Sequence, residues 1–242
     1  MARLPVRIVA LLLACLPFAL APRAHPAPTV SATILISEVQ VRGALSPSDE
    51  FIELYNAGDT PFDLNGHRLL YRTAAGTTDL PRYEWRASTI VPPYHHYLLV
   101  REGADGYDGP VVGNATFSQG IGDDGGLALV DPAGRIVDAV GWGSASNIFV
   151  EGAPAPRPGP EQSIERLPGG NAGNGVDTDH NASDFVLRPI PEPQNLASLP
   201  TCPTCPTATP TPTPSHTPSP TASRTPTPSR TFTPSATPTP TA

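Results

Sequence analysis

From residue 33 to residue 200 the chain is cut every ten residues or so by Gly, Pro, Asp, Asn or Ser, and the apolar residues between cuts show no stripe at 3.6 spacing. A helix must repeat its apolar residues every three or four positions to bury one face, so this pattern excludes a helical bundle and predicts short strands. The runs at 34–41, 50–55, 94–101, 126–130 and 135–140 are rich in β-branched and aromatic residues, as strands are. Phe62-Asp63-Leu64 and the run 67–71 flank Asn65-Gly66, a dipeptide that predicts a tight type I′ hairpin. Asp131-Pro132-Ala133-Gly134 predicts the turn between the last two runs. The expected fold is all-β: one antiparallel β-sandwich of about seven or more strands. Segments 105–116 and 141–160, rich in Gly, Pro and Asp, are expected as surface loops at its rim.

The flanks differ in composition. Of 242 residues, 33 are proline and only 15% are charged, against roughly 25% charged in an average soluble domain, so part of the chain is low-complexity. That part is 201–242, where Pro, Thr and Ser alternate and no carboxylate occurs. Proline removes amide donors and threonine buries too little apolar area to offset ordering entropy, so a disordered, extended stalk or linker is expected. Its Thr-Pro density also suits O-glycosylation. At the other end, Arg3 and Arg7 precede an apolar run from Ile8 to Ala21 interrupted by Pro17. The run is short of the ~20 residues that span a bilayer, so 1–32 reads as a signal peptide with a short leader, cleaved between Ala21 and Ala32. Leu12-Leu13-Ala14-Cys15 is similar to a lipobox, and Cys15 is either lipidated or discarded with the signal. A secreted or cell-envelope location follows.

Charge and cysteine content narrow the function classes. All 15 basic residues are arginine; ten of them face all 22 carboxylates between residues 33 and 200, a formal net charge of −12. Such a surface does not track a phosphate backbone, and nucleic acid is excluded as an expected partner. Three cysteines exclude a disulfide-rich scaffold and a four-cysteine zinc site. Cys202-Pro203-Thr204-Cys205 lacks the helix start of a redox motif and the further ligands of a zinc site, which leaves a short-loop disulfide or an intermolecular disulfide through Cys202 or Cys205.

The order of motifs is more specific than the strand pattern. Ile34-Leu35-Ile36-Ser37-Glu38-Val39 is an isoleucine-rich strand ending in glutamate, and Glu50-Phe51-Ile52-Glu53-Leu54-Tyr55-Asn56 is framed by glutamates. Asp63-Leu64-Asn65-Gly66, then Gly122-Asp123-Asp124-Gly125-Gly126-Leu127-Ala128-Leu129-Val130-Asp131, Gly134-Arg135-Ile136-Val137-Asp138 and Ser163-Ile164-Glu165-Arg166 follow in order. Asp177-Thr178-Asp179-His180-Asn181 with Asp184-Phe185 completes the series. From about Ile34 to Asn195 the segment resembles the lamin tail domain of exported bacterial proteins. The resemblance implies an immunoglobulin-like antiparallel β-sandwich, here over 33–200. His67 stands where that family often carries an aromatic residue.

Few residues suit catalysis. Glu38, Glu50 and Glu53 are the best paired carboxylates, but strand alternation puts Glu53 on one face with Phe51 and Tyr55 and Glu50 on the other with Ile52 and Leu54. His95 and His96 are adjacent and therefore also divided between faces. Ser163 and Ser183 lack a Gly-x-Ser-x-Gly elbow, and no catalytic residue or organic cofactor is expected. Asp177, Asp179 and Asn181 place three oxygen side chains at alternating positions, which suits Ca²⁺, although Ala182 and Arg188 depart from the EF-hand loop. The alternative is that these residues cap turns. Asn114-Ala115-Thr116 and Asn181-Ala182-Ser183 match N-glycosylation acceptors. The expected role is a non-catalytic adhesion or scaffolding module that binds a surface protein or polysaccharide. The alternatives are an accessory domain of an exported hydrolase system, or a hydrolase using Glu38 or Glu53, and a calcium-dependent adhesin.

Overall fold

The computed structural model describes residues 33–202. The signal segment, Cys15, Cys205 and nearly all of the stalk lie outside the described residues. Among those described, twelve strands follow one another: β1 (Ile34–Gln40), β2 (Phe51–Asn56), β3 (Phe62–Asp63), β4 (Arg68–Thr73), β5 (Leu80–Glu84), β6 (Ile90–Val91), β7 (His96–Arg101), β8 (Ala115–Phe117), β9 (Gly125–Val130), β10 (Ile136–Trp142), β11 (Ser163–Arg166) and β12 (Phe185–Arg188). A single helical turn, α1 (Asn181–Asp184), precedes β12. The sequence pattern did not single out β5, β6 and β8.

A six-stranded sheet, ordered β12-β11-β1-β2-β7-β8, packs against a four-stranded sheet ordered β10-β9-β4-β5, and β3 and β6 form a separate ribbon. All pairings are antiparallel except β7 with the short edge strand β8, which run parallel. Between the sheets Ile36, Val39, Ile52, Leu54 and Leu99 meet Leu69, Leu127, Leu129, Val140 and Trp142 in one core. Alternation explains the choice: in β2 the even-numbered Ile52 and Leu54 face in, and Phe51, Glu53 and Tyr55 face out. Each such side chain contributes ~1.5–3 kcal/mol by leaving water.

The outer faces are not left to solvent. Leu98, Val100 and Phe51 on the outer side of the six-stranded sheet are covered by Tyr107 and Val111. Phe149, fully buried, packs with Leu70, Ala128, Val130, Ile136 and Ala139 beyond the four-stranded sheet. The segments expected as rim loops thus fold back and act as lids, because each contributes apolar side chains to an otherwise exposed sheet face. Segment 105–116 also enters the six-stranded sheet as the first residues of β8.

The Asn65-Gly66 hairpin is corrected. β3 pairs with β6, whereas β4 pairs with β5 and β9, so the turn joins two different sheets. The amide of His67 donates to Leu64 O at 2.9 Å, and Gly66 has φ +76°, with Asn65 absent from the positive-φ residues. Positive φ at the third turn position alone is a type II turn, which suits a change of direction between sheets rather than a twisted hairpin. The β9–β10 turn is as expected, with Gly134 at φ +81° and its amide on Asp131 O at 2.9 Å. His67 is buried and meets Phe62 edge to face at 5.3 Å, so its ring fills the aromatic position.

Candidate functional site

Register sets three glutamates in a row on the outer face of the six-stranded sheet. Glu38 of β1 lies opposite Glu165 of β11 on one side and Glu53 of β2 on the other. A bulge between Ile36 and Glu38 turns Glu38 outward while Ile36 and Val39 stay in the core. After β12 the chain crosses this row as a strap. The amide of Glu192 donates to Glu38 Oε1 at 3.3 Å, and that of Gln194 donates to Glu53 Oε2. Further along, the amide of Leu196 donates to Asn114 Oδ1 at 3.2 Å and that of Thr201 to Tyr94 O at 2.9 Å. The Tyr55 hydroxyl donates to Thr201 O. Under the strap Glu38 is 1% and Glu53 2% exposed.

The row carries one paired cation, Arg188 on Glu165. Glu38 also accepts from the Ser163 hydroxyl, and Glu53 from the Ser37 hydroxyl at 2.6 Å. Burial, partly opposed by the Ser163 bond and reinforced by the Glu165 charge, pushes the Glu38 carboxyl up to about 7. Burial and then the neighbouring Glu38 push Glu53 well above the ordinary carboxylate range. His96 Nε2 lies 3.7 Å from Glu53 Oε1 but is bonded to Asn174 Oδ1 at 2.9 Å, and burial lowers its pKa to about 4. Its ring, tilted against that of Tyr55 at 4.7 Å, is therefore neutral at physiological pH. Beside the strap a cavity of about 250 Å³ is lined by Gln40, Asp49, Phe51, Tyr107, Pro189 and Pro193 among others.

Glu50 faces the opposite way, as alternation requires. It accepts from Arg101 at 3.2 Å and from the Ile121 amide at 3.1 Å, and burial raises its pKa. Glu38 and Glu53 share a face, which the sequence could not show because it depends on register, yet both face the strap rather than an open cleft. His95 is half-buried, with Nδ1 on Pro93 O at 2.8 Å. Ser163 is spent on Glu38. The Ser183 hydroxyl is 3.0 Å from His180 Nδ1 on an exposed turn.

A second cluster lies inside the sandwich, around Arg166. This guanidinium is fully buried and pairs with Asp138 at 2.8 Å and Asp177 at 3.3 Å, with Asp184 at 3.9 Å. It stands over the Phe185 ring at 4.6 Å and also donates to Ile36 O and Val176 O. Oxygens of Asp138, Glu151 and Asp177 lie within 4.8 Å of one another. Burial and the Asp138 charge push Glu151 up to about 9, against the pull of Arg166.

The three residues expected to ligate calcium are divided by this arrangement. Asp177 joins the Arg166 cluster. Asp179, partly exposed, sits at φ +54°, and burial followed by the charge of Asp177 raises its pKa. Asn181 is wholly buried and its amide is committed: Oδ1 accepts from the Gly141 and Glu151 amides, both at 2.9 Å, and Nδ2 donates to Ala139 O and Glu151 Oε2. That side chain braces α1 against β10, and its buried nitrogen is also closed to a glycan. Asn114 remains exposed. Asp184, outside the set weighed for calcium or turn capping, accepts from the Thr178 hydroxyl and amide and the His180 amide and so caps this acidic loop. Arg166, Asp138 and Glu151 were missed, although parity held a signal: Arg166 shares its side of β11 with core Ile164, and Asp138 its side of β10 with core Val140 and Trp142.

Residues 27–144 match the lamin tail domain family. The chain carries a lamin tail domain. The match spans β1 to β10 and identifies the sandwich as immunoglobulin-like, of a non-enzymatic family of modules. Strands β11 and β12, Arg166 and the strap lie beyond the matched span, whereas Asp138 lies within it, and β11 continues the same sheet by pairing directly with β1. Comparison with curated proteins yields no match. Among the described residues no helix is long and apolar enough to cross a membrane.

Proposed function

We propose that the protein is an exported, non-catalytic adhesion or scaffolding module whose lamin tail domain is presented on the Pro/Thr-rich stalk to a surface protein or polysaccharide. The observation that carries this reading is the use made of the carboxylates. Glu38, Glu50 and Glu53, the residues best suited to acid–base chemistry, are each at most 2% exposed and accept backbone amides from the segments packed on them. A general base must reach a substrate proton, and these groups reach the fold instead. The composition of residues 1–32 supports export, and that of 201–242 supports a spacer.

The test is retention of envelope proteins and polysaccharides by the full-length protein, with calcium and with chelator, beside a hydrolase panel. Retention that survives chelation supports the scaffold. Loss on chelation moves the assignment to a calcium-dependent adhesin through Asp177, for which the oxygens of Asp138 and Glu151 within 4.8 Å are the favouring observation. Turnover abolished by Glu38→Gln or Glu53→Gln would replace both readings with the hydrolase.

A further inference from the structure

We propose that the strap formed by residues 189–201 is a pH-operated latch: it docks on the glutamate row when Glu38 and Glu53 hold protons, and rising pH releases it. Glu38 and Glu53 are direct cross-strand partners, a relationship that holds Cβ atoms ~4.5–5.5 Å apart. Two carboxylates at that separation, nearly excluded from water, do not both ionise cheaply. Docking the strap covers the pair: its Glu192 and Gln194 amides sit directly on the two groups and by themselves favour the ionised carboxylates, but the burial that comes with them is the larger effect.

The groups facing the pair come from every neighbouring element. Glu165 of β11 adds negative charge and is itself paired with Arg188 of β12. His96 of β7 is neutral and committed to Asn174. The strap brings Glu192, and the covering loop and the approach to β2 bring Tyr107 and Asp49. Arg188 bonds Glu165 rather than Glu38 or Glu53, so no cation is bonded to either member of the pair among the described residues.

The sign follows from the raised groups. With the strap docked, Glu38 titrates at about 7 and Glu53 well above its ordinary value of 4.5. With the strap undocked both face water and return toward that value. The docked state therefore binds more protons, docking is strongest below about pH 4.5, and it weakens as pH rises through about 7. A gap of this size shifts the docking equilibrium on the order of a hundredfold across the window.

Hydrogen exchange on the full-length protein, corrected for intrinsic rates at each pH, reads the latch at the Glu192, Gln194 and Thr201 amides. Amides of the β4–β9 ladder serve as the internal reference. Protection of the strap relative to that ladder falls by about tenfold or more between pH 5.5 and pH 8.0, and Glu38→Gln with Glu53→Gln, which keeps the acceptor oxygens, removes the dependence. Equal relative protection at both pH values in the wild type overturns the proposal, as does a slope that persists in the double variant. Should the double variant not fold, Glu38→Gln alone must reduce the slope, and an unchanged slope there overturns it equally.

Discussion

The Arg166 guanidinium donates to Asp138 Oδ1 at 2.8 Å with both side chains fully buried, and so ties β11 of one sheet to β10 of the other through the core. The second Asp138 oxygen accepts the Ile36 amide at 2.5 Å, beside the β1 bulge. One ion pair thereby holds three strands in register across the sandwich.

Breaking that pair from either end leaves a buried charge without its counterpart. Asp138→Asn and Arg166→Met are each expected to destabilise the domain by about 3–5 kcal/mol in urea unfolding. The double substitution is expected to cost less than the sum of the two, because it removes both charges. Additive losses in that cycle would show that the two residues act separately.

Stability above neutrality is expected to fall through Glu151. Its folded-state pKa of about 9 lies above the ordinary carboxylate value, so its contribution is complete below about pH 4.5 and is lost as pH rises through about 9. The melting temperature should drop by roughly 5 °C between pH 7 and pH 9. Glu151→Gln, which can still accept from Asn181 Nδ2, should flatten that drop, as followed by calorimetry.

Asn181→Ala strands two buried amide donors, those of Gly141 and Glu151, and the Ala139 carbonyl. At ~1–3 kcal/mol for each group left unpaired, the loss is about 3 kcal/mol or more in chemical denaturation. Intact-mass measurement after expression in a glycosylating host should find no glycan at Asn181. Occupancy there in folded protein would contradict the buried position.

Gly66→Ala forces an L side chain into φ +76° and puts its Cβ 2.9 Å from Pro132 Cγ. The expected cost is about 1–2 kcal/mol. Asn65→Gly should bring no stabilisation, since Asn65 is not in the left-handed region of this type II turn. A gain in melting temperature for Asn65→Gly would instead favour the type I′ geometry.

The strand pattern and the two-faced division of β2 were legible in the sequence because alternation is a local property: each face takes every second residue, whereas the β1 bulge that turns Glu38 outward was not. The same rule placed Glu50 and Glu53 on opposite faces. Tertiary structure decided what covers the outward residues. Phe51, Glu53 and Tyr55 share the outer face of β2, and the 102–114 loop and the 189–201 strap return from far along the chain to bury them. Register between strands is likewise non-local, so the alignment of Glu165, Glu38 and Glu53, and the meeting of Arg166 with Asp138, had no trace in any single segment. Asn181 shows the limit most sharply: its spacing from Asp177 and Asp179 suggested a ligand, but the packing of α1 against β10 spends its amide on four backbone and side-chain partners. Sequence sets which residues want burial or a partner; the long-range return of the chain settles which partner each receives.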